Sequence, residues 1–304
     1  MPGHGSNELN KRLFKLEFQK IINYTDQDPE HREQLKKLDT PLCRYKDIFP
    51  YEYNVIDIST PNKFVNASFM HVLSLNHFIA SQGPKDNTID DFWTMCFEKN
   101  VPRILMLCNE IEGNKKKCSN YWDKNMKSEL FENIGNSIIK QDNNLEQKII
   151  RIRNKKTGEE REFPHLQFKD WPDHSTPNIK NYVKLFQYLF DFVDESKICD
   201  KNRKEDDKTK NPSSFPVLVH CSAGIGRTGV FLTLYGICYE INKQINSSSQ
   251  MIIFSVFNFV RKLKEMRLFS VENINQYYFI YIFLEEYLKE KNQSKIQSKN
   301  QMIN

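Results

Sequence analysis

The stretch Val217-Leu-Val-His-Cys-Ser-Ala-Gly-Ile-Gly-Arg-Thr-Gly229 leads from an apolar run through small residues into a helical pattern. The apolar run predicts a buried strand, Cys221 follows it at once, and Arg227 opens the helix. Such a junction directs backbone N–H groups and the positive end of a helix dipole at one point, which favours a phosphate-like anion. The loop residues that would supply these N–H groups are Ser222, Ala223, Gly224, Ile225 and Gly226.

Two side chains in this stretch carry reactive or binding groups. The helix N-terminus would favour the thiolate form of Cys221, which is the nucleophilic form of cysteine. The planar guanidinium of Arg227 suits two oxygens of one phosphoryl group. A structural cysteine before a helix would explain neither the arginine nor the glycines. The stretch therefore predicts a phosphate site that contains a nucleophile.

Residues 220–229 fit the pattern H-C-x-x-G-x-G-R-[S/T]-G and resemble the signature loop of the protein tyrosine phosphatases. The resemblance implies that Cys221 attacks phosphorus while Arg227 and the loop amides hold the phosphoryl oxygens. It also implies that Thr228 donates a hydrogen bond to Cys221 and that His220 orders the loop backbone. A phosphocysteine intermediate is expected, and no metal or other cofactor is expected.

A second motif, Trp171-Pro-Asp-His174, resembles the loop that carries the general acid in this family. Trp171 would act as a hinge, and Asp173 would protonate the leaving tyrosyl oxygen. In the second step Asp173, now a carboxylate, would take a proton from the attacking water. Ser175 stands where the family usually has glycine, so we expect a stiffer loop.

The segment Cys43-Arg-Tyr-Lys-Asp47 resembles the loop that lines the phosphotyrosine pocket, with Cys43 in place of the usual asparagine. The ring of Tyr45 would stack on the substrate phenyl ring and deepen the pocket, and Asp47 would hold the peptide backbone. A deep pocket favours phosphotyrosine over the substrates of dual-specificity or lipid phosphatases. Lys117, in a segment resembling another mobile loop, would approach the acid-bearing loop and the bound phosphate.

The segment that positions water in this family departs from its usual pattern, Q-T-x-x-Q-Y. Gln276 fills the second glutamine position, but Glu272 replaces the first. An ionised glutamate only accepts hydrogen bonds and repels a phosphoryl dianion. We therefore keep two hypotheses, an active phosphotyrosine phosphatase and a slow or inactive one that acts as a phosphotyrosine-binding module. Phe269 stands where small or polar residues are common and would narrow the cleft.

The composition favours one domain of 304 residues. We assign residues 1–6 to a cloning remnant, residues 7–290 to a single catalytic domain and residues 291–304 to a polar, frayed tail. No run of about 18 apolar residues and no signal-peptide pattern occurs, so we expect a soluble, cytoplasmic protein. Residues 196–214 are polar and predict a surface excursion.

The seven cysteines form no Cys-x-x-Cys pair, which argues against a disulfide framework and a zinc site. Cys96, Cys108, Cys118 and Cys238 lie in apolar or aromatic surroundings and predict core positions. The net charge of +5 is dispersed, so nucleic-acid binding is not predicted. The expected partners are phosphotyrosine-containing proteins, and the expected state is a monomer without a membrane span.

The resemblance covers residues 7–289 and implies an α/β fold, a twisted mixed sheet with helices on both faces. Asn66 and Gln82, in two short strand-like runs, are expected to be buried hydrogen-bonding braces. Helices are predicted over 7–23, 29–38, 90–99, 177–195, 230–245, 250–265 and 274–289. Strands are predicted over 64–70, 78–84, 103–108, 147–153 and 161–169, and the signature loop follows one more.

Overall fold

The computed structural model describes residues 4–38, 40–73, 77–172, 175–194, 215–247 and 251–303. Its strands are β1 (Val55–Asp57), β2 (Phe64–His71), β3 (His77–Ser81), β4 (Ile104–Met106), β5 (Ile111–Glu112), β6 (Lys115–Lys116), β7 (Phe131–Gln141), β8 (Leu145–Asn154), β9 (Glu160–Phe168) and β10 (Val217–His220). Its helices are α1 (His4–Tyr24), α2 (Pro29–Glu33), α3 (Ile89–Glu98), α4 (Ile179–Val193), α5 (Gly226–Asn246), α6 (Val256–Met266) and α7 (Ile274–Ile303). Short 3₁₀ turns span Thr40–Leu42 and Asp86–Thr88.

Eight strands form one mixed sheet in the order β1-β2-β3-β10-β4-β9-β8-β7. The four central strands, β3, β10, β4 and β9, run parallel, and the outer strands pair antiparallel. Central parallel strands are covered on both faces, which explains why β10 and β4 consist of buried residues throughout. β5 and β6 form a separate two-stranded hairpin.

The carboxyl ends of the four parallel strands place the functional loops beside one another. β10 ends directly before Cys221, and β3 ends before Gln82. β4 leads into residues 107–118, and β9 leads into Trp171. In open α/β sheets, ligands bind outside the carboxyl ends of parallel strands, so the topology collects these loops at a candidate site.

The helices flank the sheet, and the first half of α5 is completely buried. Its residues from Gly226 to Cys238 are all buried, so its N-terminus is held firmly beneath the loop that precedes it. The side chains of Asn178 and Ser255 cap α4 and α6 by accepting hydrogen bonds from backbone N–H groups. These caps explain why both helices begin later than their apolar patterns predict.

Some elements differ from the sequence predictions. The edge strand β7 was not predicted, because half of its residues are exposed and it lacks a regular apolar alternation. The helix predicted over 29–38 ends at Glu33. The tail predicted to fray is helical to Ile303, since its Lys, Gln and Met residues are good helix formers. Helix α1 already begins at His4. Residues 195–214 lie outside the described residues.

Within the part of the chain that the structure describes, we find no helix of sufficient length and apolar character to span a membrane.

Candidate active site

The loop after β10 curls around the sulfur of Cys221. Cys221 is 4% exposed, and the backbone N–H of Gly224 donates to its Sγ over 3.3 Å. Gly224 has a φ of +72°, and a Cβ there would lie 2.2 Å from the carbonyl oxygen of Ser81. Both the backbone conformation and the close approach require glycine at this position.

Two side chains of the segment predicted to position water lie directly against this loop. A Cβ on Gly226 would lie 2.9 Å from Nε2 of Gln276 and 2.9 Å from Oε2 of Glu272. Gln276 is buried, and its Oε1 accepts from the backbone N–H of Glu272 over 2.9 Å. The structure therefore brings the predicted pair Glu272 and Gln276 together at the phosphate loop, with Glu272 exposed.

Arg227 is buried and held by Glu112 at the end of β5. Its NH1 donates to Oε1 over 2.6 Å, and its NH2 donates to Oε2 over 2.5 Å. NH1 also donates to the carbonyl of Leu107. Burial alone would lower the pKa of Arg227, but the hydrogen bonds and charge of Glu112, with Cys221, raise it above its ordinary value. The guanidinium is thus fixed in one plane and cationic.

No role for Glu112 was predicted from the sequence. The sequence contains a signal for this contact, because a carboxylate stabilises a buried cation and Glu112 follows β4, the strand that neighbours β10.

A second buried cation, Arg267, lies under the same loop and was also missed. Its guanidinium donates to the carbonyls of Gly224 and Ala223, to Oδ1 of Asn66 and to Oγ of Ser68. Burial lowers the pKa of Arg267 to about 10, and Cys221 partly offsets this, so the side chain is cationic at neutral pH. Arg267 therefore braces the loop backbone with a positive charge.

The opposite side of Cys221 contains neutral groups. Nδ1 of His220 lies 3.1 Å from the carbonyl oxygen of Cys221, and its Nε2 lies 2.8 Å from the hydroxyl of Tyr121. Burial lowers the pKa of His220 to about 4, so the imidazole is neutral at neutral pH. His220 thus contacts the loop backbone at Cys221, and its role in ordering that backbone stays a prediction.

The predicted pocket wall lies beside the loop. The hydroxyls of Tyr45 and Ser222 are 2.9 Å apart, and Ser222 donates to the carbonyl of Lys117 over 3.0 Å. Because Ser222 has one proton, Tyr45 must be the donor in their contact. Asp47 is exposed and Lys117 is buried. Tyr45, Ser222 and Lys117 are thus brought together, and Asp47 lies at the solvent side.

The predicted braces behind this wall are buried and hydrogen bonded. Asn66 donates to the carbonyl of Ile48 over 2.7 Å. Gln82 accepts from the backbone N–H of Arg44 and donates to the carbonyl of Leu42. These bonds fix the position of the segment that carries Tyr45.

The loop with the predicted general acid is described only at its ends. Trp171 is buried, and its indole N–H donates to the carbonyl of Ser175 over 3.1 Å. Asp173 and His174 lie outside the described residues. A cleft of about 530 Å³ lies between this loop and the segment that carries Glu112. Its lining residues are Asn109, Glu112, Gly113, Asn114, Lys115, Lys169, Asp170, Trp171 and Pro172.

The hydrogen bond predicted from Thr228 to Cys221 is not formed in this structure. The hydroxyl of Thr228 is buried and has no hydrogen-bond partner, and Cys221 accepts from the backbone N–H of Gly224 instead. The loop curls tightly enough for its own amide to reach the sulfur.

Phe269 has a φ of +64°, a conformation that is uncommon for a bulky residue. Its backbone N–H donates to Oδ1 of Asp26 over 3.3 Å, and Asp26 also binds the buried ammonium of Lys264 over 2.7 Å. These contacts hold the loop that leads to Glu272. Among the described residues, no group of three or more His, Cys, Asp or Glu side chains is arranged to hold a metal ion.

Comparisons with known proteins agree with this geometry. A family model described as protein-tyrosine phosphatase matches residues 40–286. Tyrosine-protein phosphatase non-receptor type 20 of Rattus norvegicus is 32% identical over 257 residues, which are 81% of this chain and 54% of the relative. Receptor-type tyrosine-protein phosphatase C of Homo sapiens is 31% identical over 288 residues, which are 91% of this chain and 20% of the relative. The chain thus spans about half of the first relative and a fifth of the second.

Solved structures show the same fold. The catalytic domain of human protein tyrosine phosphatase non-receptor type 18 is 25% identical, with a TM-score of 0.66 over 89% of this chain and 94% of that chain. A structure of the type 18 enzyme in complex with HER2 phosphopeptides is 26% identical, with a TM-score of 0.67 over 90% of this chain and 99% of that chain. The predicted α/β fold, a mixed twisted sheet with flanking helices, is confirmed.

Proposed function

The chain belongs to the protein tyrosine phosphatase family, and from this premise we propose that it hydrolyses phosphotyrosine in proteins through a phosphocysteine intermediate. One observation carries the proposal. Cys221 and Arg227 lie in one buried loop at the carboxyl end of the central strand, and Glu112 holds the guanidinium of Arg227 with two hydrogen bonds. A nucleophile and a fixed, two-pronged phosphate donor are thereby placed together.

In the first step the thiolate of Cys221 attacks phosphorus, a P–S bond forms, and the P–O bond to the tyrosine breaks. Arg227 and the loop amides stabilise the charge on the equatorial oxygens. Asp173 protonates the leaving phenolate, so the product is a neutral tyrosine. The ring of the substrate stacks on Tyr45, and Asp47 and Trp171 border the bound peptide.

In the second step a water attacks the phosphocysteine, and Asp173 takes its proton. The P–S bond breaks, and the thiolate of Cys221 leaves with phosphate as the other product. The buried hydroxyl of Thr228, which has no hydrogen-bond partner, is a donor for the departing thiolate. Gln276 lies against Gly226, where its amide would orient the water.

The test is turnover of a phosphotyrosine peptide without added metal, with Cys221→Ser as the control. We expect steady phosphate release by the wild type and none by the variant, and release that persists in Cys221→Ser would overturn the proposal. An Asp173→Ala variant should be slow and should retain phosphoprotein. An equally fast Asp173→Ala variant would remove Asp173 from the mechanism.

A second candidate function rests on the position of Glu272. Its carboxylate lies against Gly226, where an anion repels a phosphoryl dianion and offers no hydrogen-bond donor. The protein would then be a slow phosphatase or a phosphotyrosine-binding module. Single-turnover kinetics decide between them. A burst of phenol followed by a slow phase that Glu272→Gln accelerates indicates slow hydrolysis, whereas tight peptide binding without phenol release indicates a binding module.

The same proposal includes the context of the domain. Residues 7–290 form the catalytic domain, and its partners are phosphotyrosine-containing proteins. We propose a cytoplasmic monomer. The structure of the type 18 relative with HER2 phosphopeptides supports the partner class.

A further inference from the structure

Three buried side chains from three segments form a continuous hydrogen-bonded chain that ends at Cys221. The hydroxyl of Tyr121 lies 2.8 Å from Nε2 of His165 on β9 and 2.8 Å from Nε2 of His220 on β10. Nδ1 of His220 lies 3.1 Å from the carbonyl oxygen of Cys221. All three rings are 0% exposed. No sequence motif singled out His165, and the proposed mechanism gives it no task.

The donor and the acceptor of each hydrogen bond in this chain can be assigned from the group at its end. The carbonyl of Cys221 only accepts, so Nδ1 of His220 carries a proton. His220 is neutral because burial lowers its pKa to about 4, so its Nε2 is an acceptor and Tyr121 must donate to it. Tyr121 has one proton, so Nε2–H of His165 must donate to the oxygen of Tyr121.

The lack of a hydrogen-bond partner at Nδ1 of His165 is consistent with this assignment of donors and acceptors. Burial, with smaller contributions from Lys148 and His220, lowers the pKa of His165 well below its ordinary value, so His165 is neutral as well. A proton on Nε2 leaves Nδ1 as a bare acceptor, and Nδ1 is buried without a hydrogen-bond partner. The reverse direction would bury an unpaired N–H group and would place two acceptors, His220 Nδ1 and the Cys221 carbonyl, 3.1 Å apart.

We propose that His165 is a positioning residue of the phosphate loop: by donating to Tyr121 it selects the His220 tautomer that donates to the carbonyl of Cys221. Hydrogen bonds in a chain strengthen one another by about 10–30% each inside a protein. A polarised Cys221 carbonyl makes the N–H of the same peptide unit, that of Ser222, a stronger donor within the loop. The proposal rests on Cys221 being the nucleophile of the proposed function.

The direct test measures the ring nitrogens by ¹⁵N–¹H correlation NMR of the full chain at neutral pH. We expect the proton on Nε2 in His165 and on Nδ1 in His220. A proton on Nδ1 of His165, or a doubly protonated ring, would overturn the proposal. This measurement needs no turnover, so its failure is distinct from a failure of the proposed function.

Two matched variants give the second test. His165→Gln keeps an N–H donor toward Tyr121, and His165→Leu removes it while filling similar space. The readout is the pH dependence of Cys221 alkylation by iodoacetamide, which is an uncharged reagent. We expect His165→Leu to move the midpoint up by about 0.5 pH unit, which slows alkylation roughly threefold below the midpoint, and His165→Gln to restore the wild-type midpoint.

Equal midpoints in folded wild type and His165→Leu would contradict the proposal, and so would equal shifts in both variants, since these indicate a packing role alone. The other ionisable groups that act on this chain are unchanged in both variants. They are Arg44 and Lys148 near the histidines, Cys96 and Glu110 near Tyr121, Cys108 and Cys118 near both Tyr121 and Cys221, and Arg227 and Arg267 near Cys221.

Discussion

The two sides of Cys221 are built from opposite chemistry. On one side a buried cation, Arg227, is paired with the carboxylate of Glu112. On the other side His220, Tyr121 and His165 are neutral and equally buried. A fixed guanidinium thus lies where a dianion would bind, whereas on the other side a neutral histidine holds the backbone carbonyl of Cys221.

This difference has an energetic reason. Burying a charge is costly unless an opposite charge or hydrogen bonds compensate it, so the charged side loses much when the carboxylate of Glu112 is removed. The neutral side avoids this cost, but it becomes unstable when a pH change forces a proton onto it. The two sides should therefore respond to different perturbations.

The largest effect is expected from Glu112→Gln. The amide oxygen of Gln accepts only one of the two bonds, and its NH₂ faces a guanidinium donor, so Arg227 becomes a buried, unpaired cation. We expect the free energy of unfolding to fall by about 3–5 kcal/mol. Urea unfolding measures it, and kcat on a phosphotyrosine peptide should fall as well.

Glu110→Gln is the matched control for that change. Glu110 lies two residues away, and burial raises the pKa of its carboxyl. It is not among the hydrogen-bond acceptors described above for Arg227. A Glu110→Gln variant as unstable as Glu112→Gln would mean that the loop, and not the ion pair, carries the stability.

The second-largest effect is expected from a fall in pH. The pKa of His220 is about 4 in the folded protein and 6.5 in a model peptide, so the unfolded chain takes up the proton first as the pH falls. The free energy of unfolding is therefore unaffected by His220 above about pH 6.5. Between pH 6.5 and pH 4 the protonation of this residue lowers it by about 3 kcal/mol. Urea unfolding between pH 7 and 4 measures the slope.

His165→Gln should make that slope shallower, because one of the two buried neutral histidines is removed. His71→Gln, at an exposed histidine, controls for the loss of a histidine as such. An unchanged slope in His165→Gln would show that His165 does not contribute to the acid sensitivity.

The sequence predicts some residues around Cys221 and not others. Cys221, Arg227 and the glycines lie in one contiguous segment, so spacing alone placed them together. Glu112 is 115 residues from Arg227 in the chain, and Arg267 is 43 residues from Gly224. Only the tertiary fold makes them neighbours. Local patterns do not contain such contacts.

His165 shows the limit most clearly. It lies in an alternating strand in which a histidine is compatible with either face, and its partner Tyr121 is 44 residues away. The first residues of α4 and α6 were predicted incorrectly for a different reason. The side chains of Asn178 and Ser255 cap these helices through hydrogen bonds, and a pattern of apolar residues contains no information about such bonds.

The smallest effect is expected from Tyr45→Phe, a neutral bond on the side where the substrate binds. The hydroxyl of Tyr45 donates to Ser222, which keeps its own bond to the carbonyl of Lys117. Losing one neutral hydrogen bond costs about 1 kcal/mol, so KM should rise roughly fivefold. The value of kcat should be nearly unchanged, because the ring that we propose to contact the substrate remains. Steady-state kinetics on a phosphotyrosine peptide measure both constants.

Tyr53→Phe, at an exposed tyrosine, is the control. A fall in kcat as large as that of Glu112→Gln would place Tyr45 with the charged groups that act on the reacting phosphoryl group, and the contrast between paired charge and neutral bonds would no longer describe this side of the site.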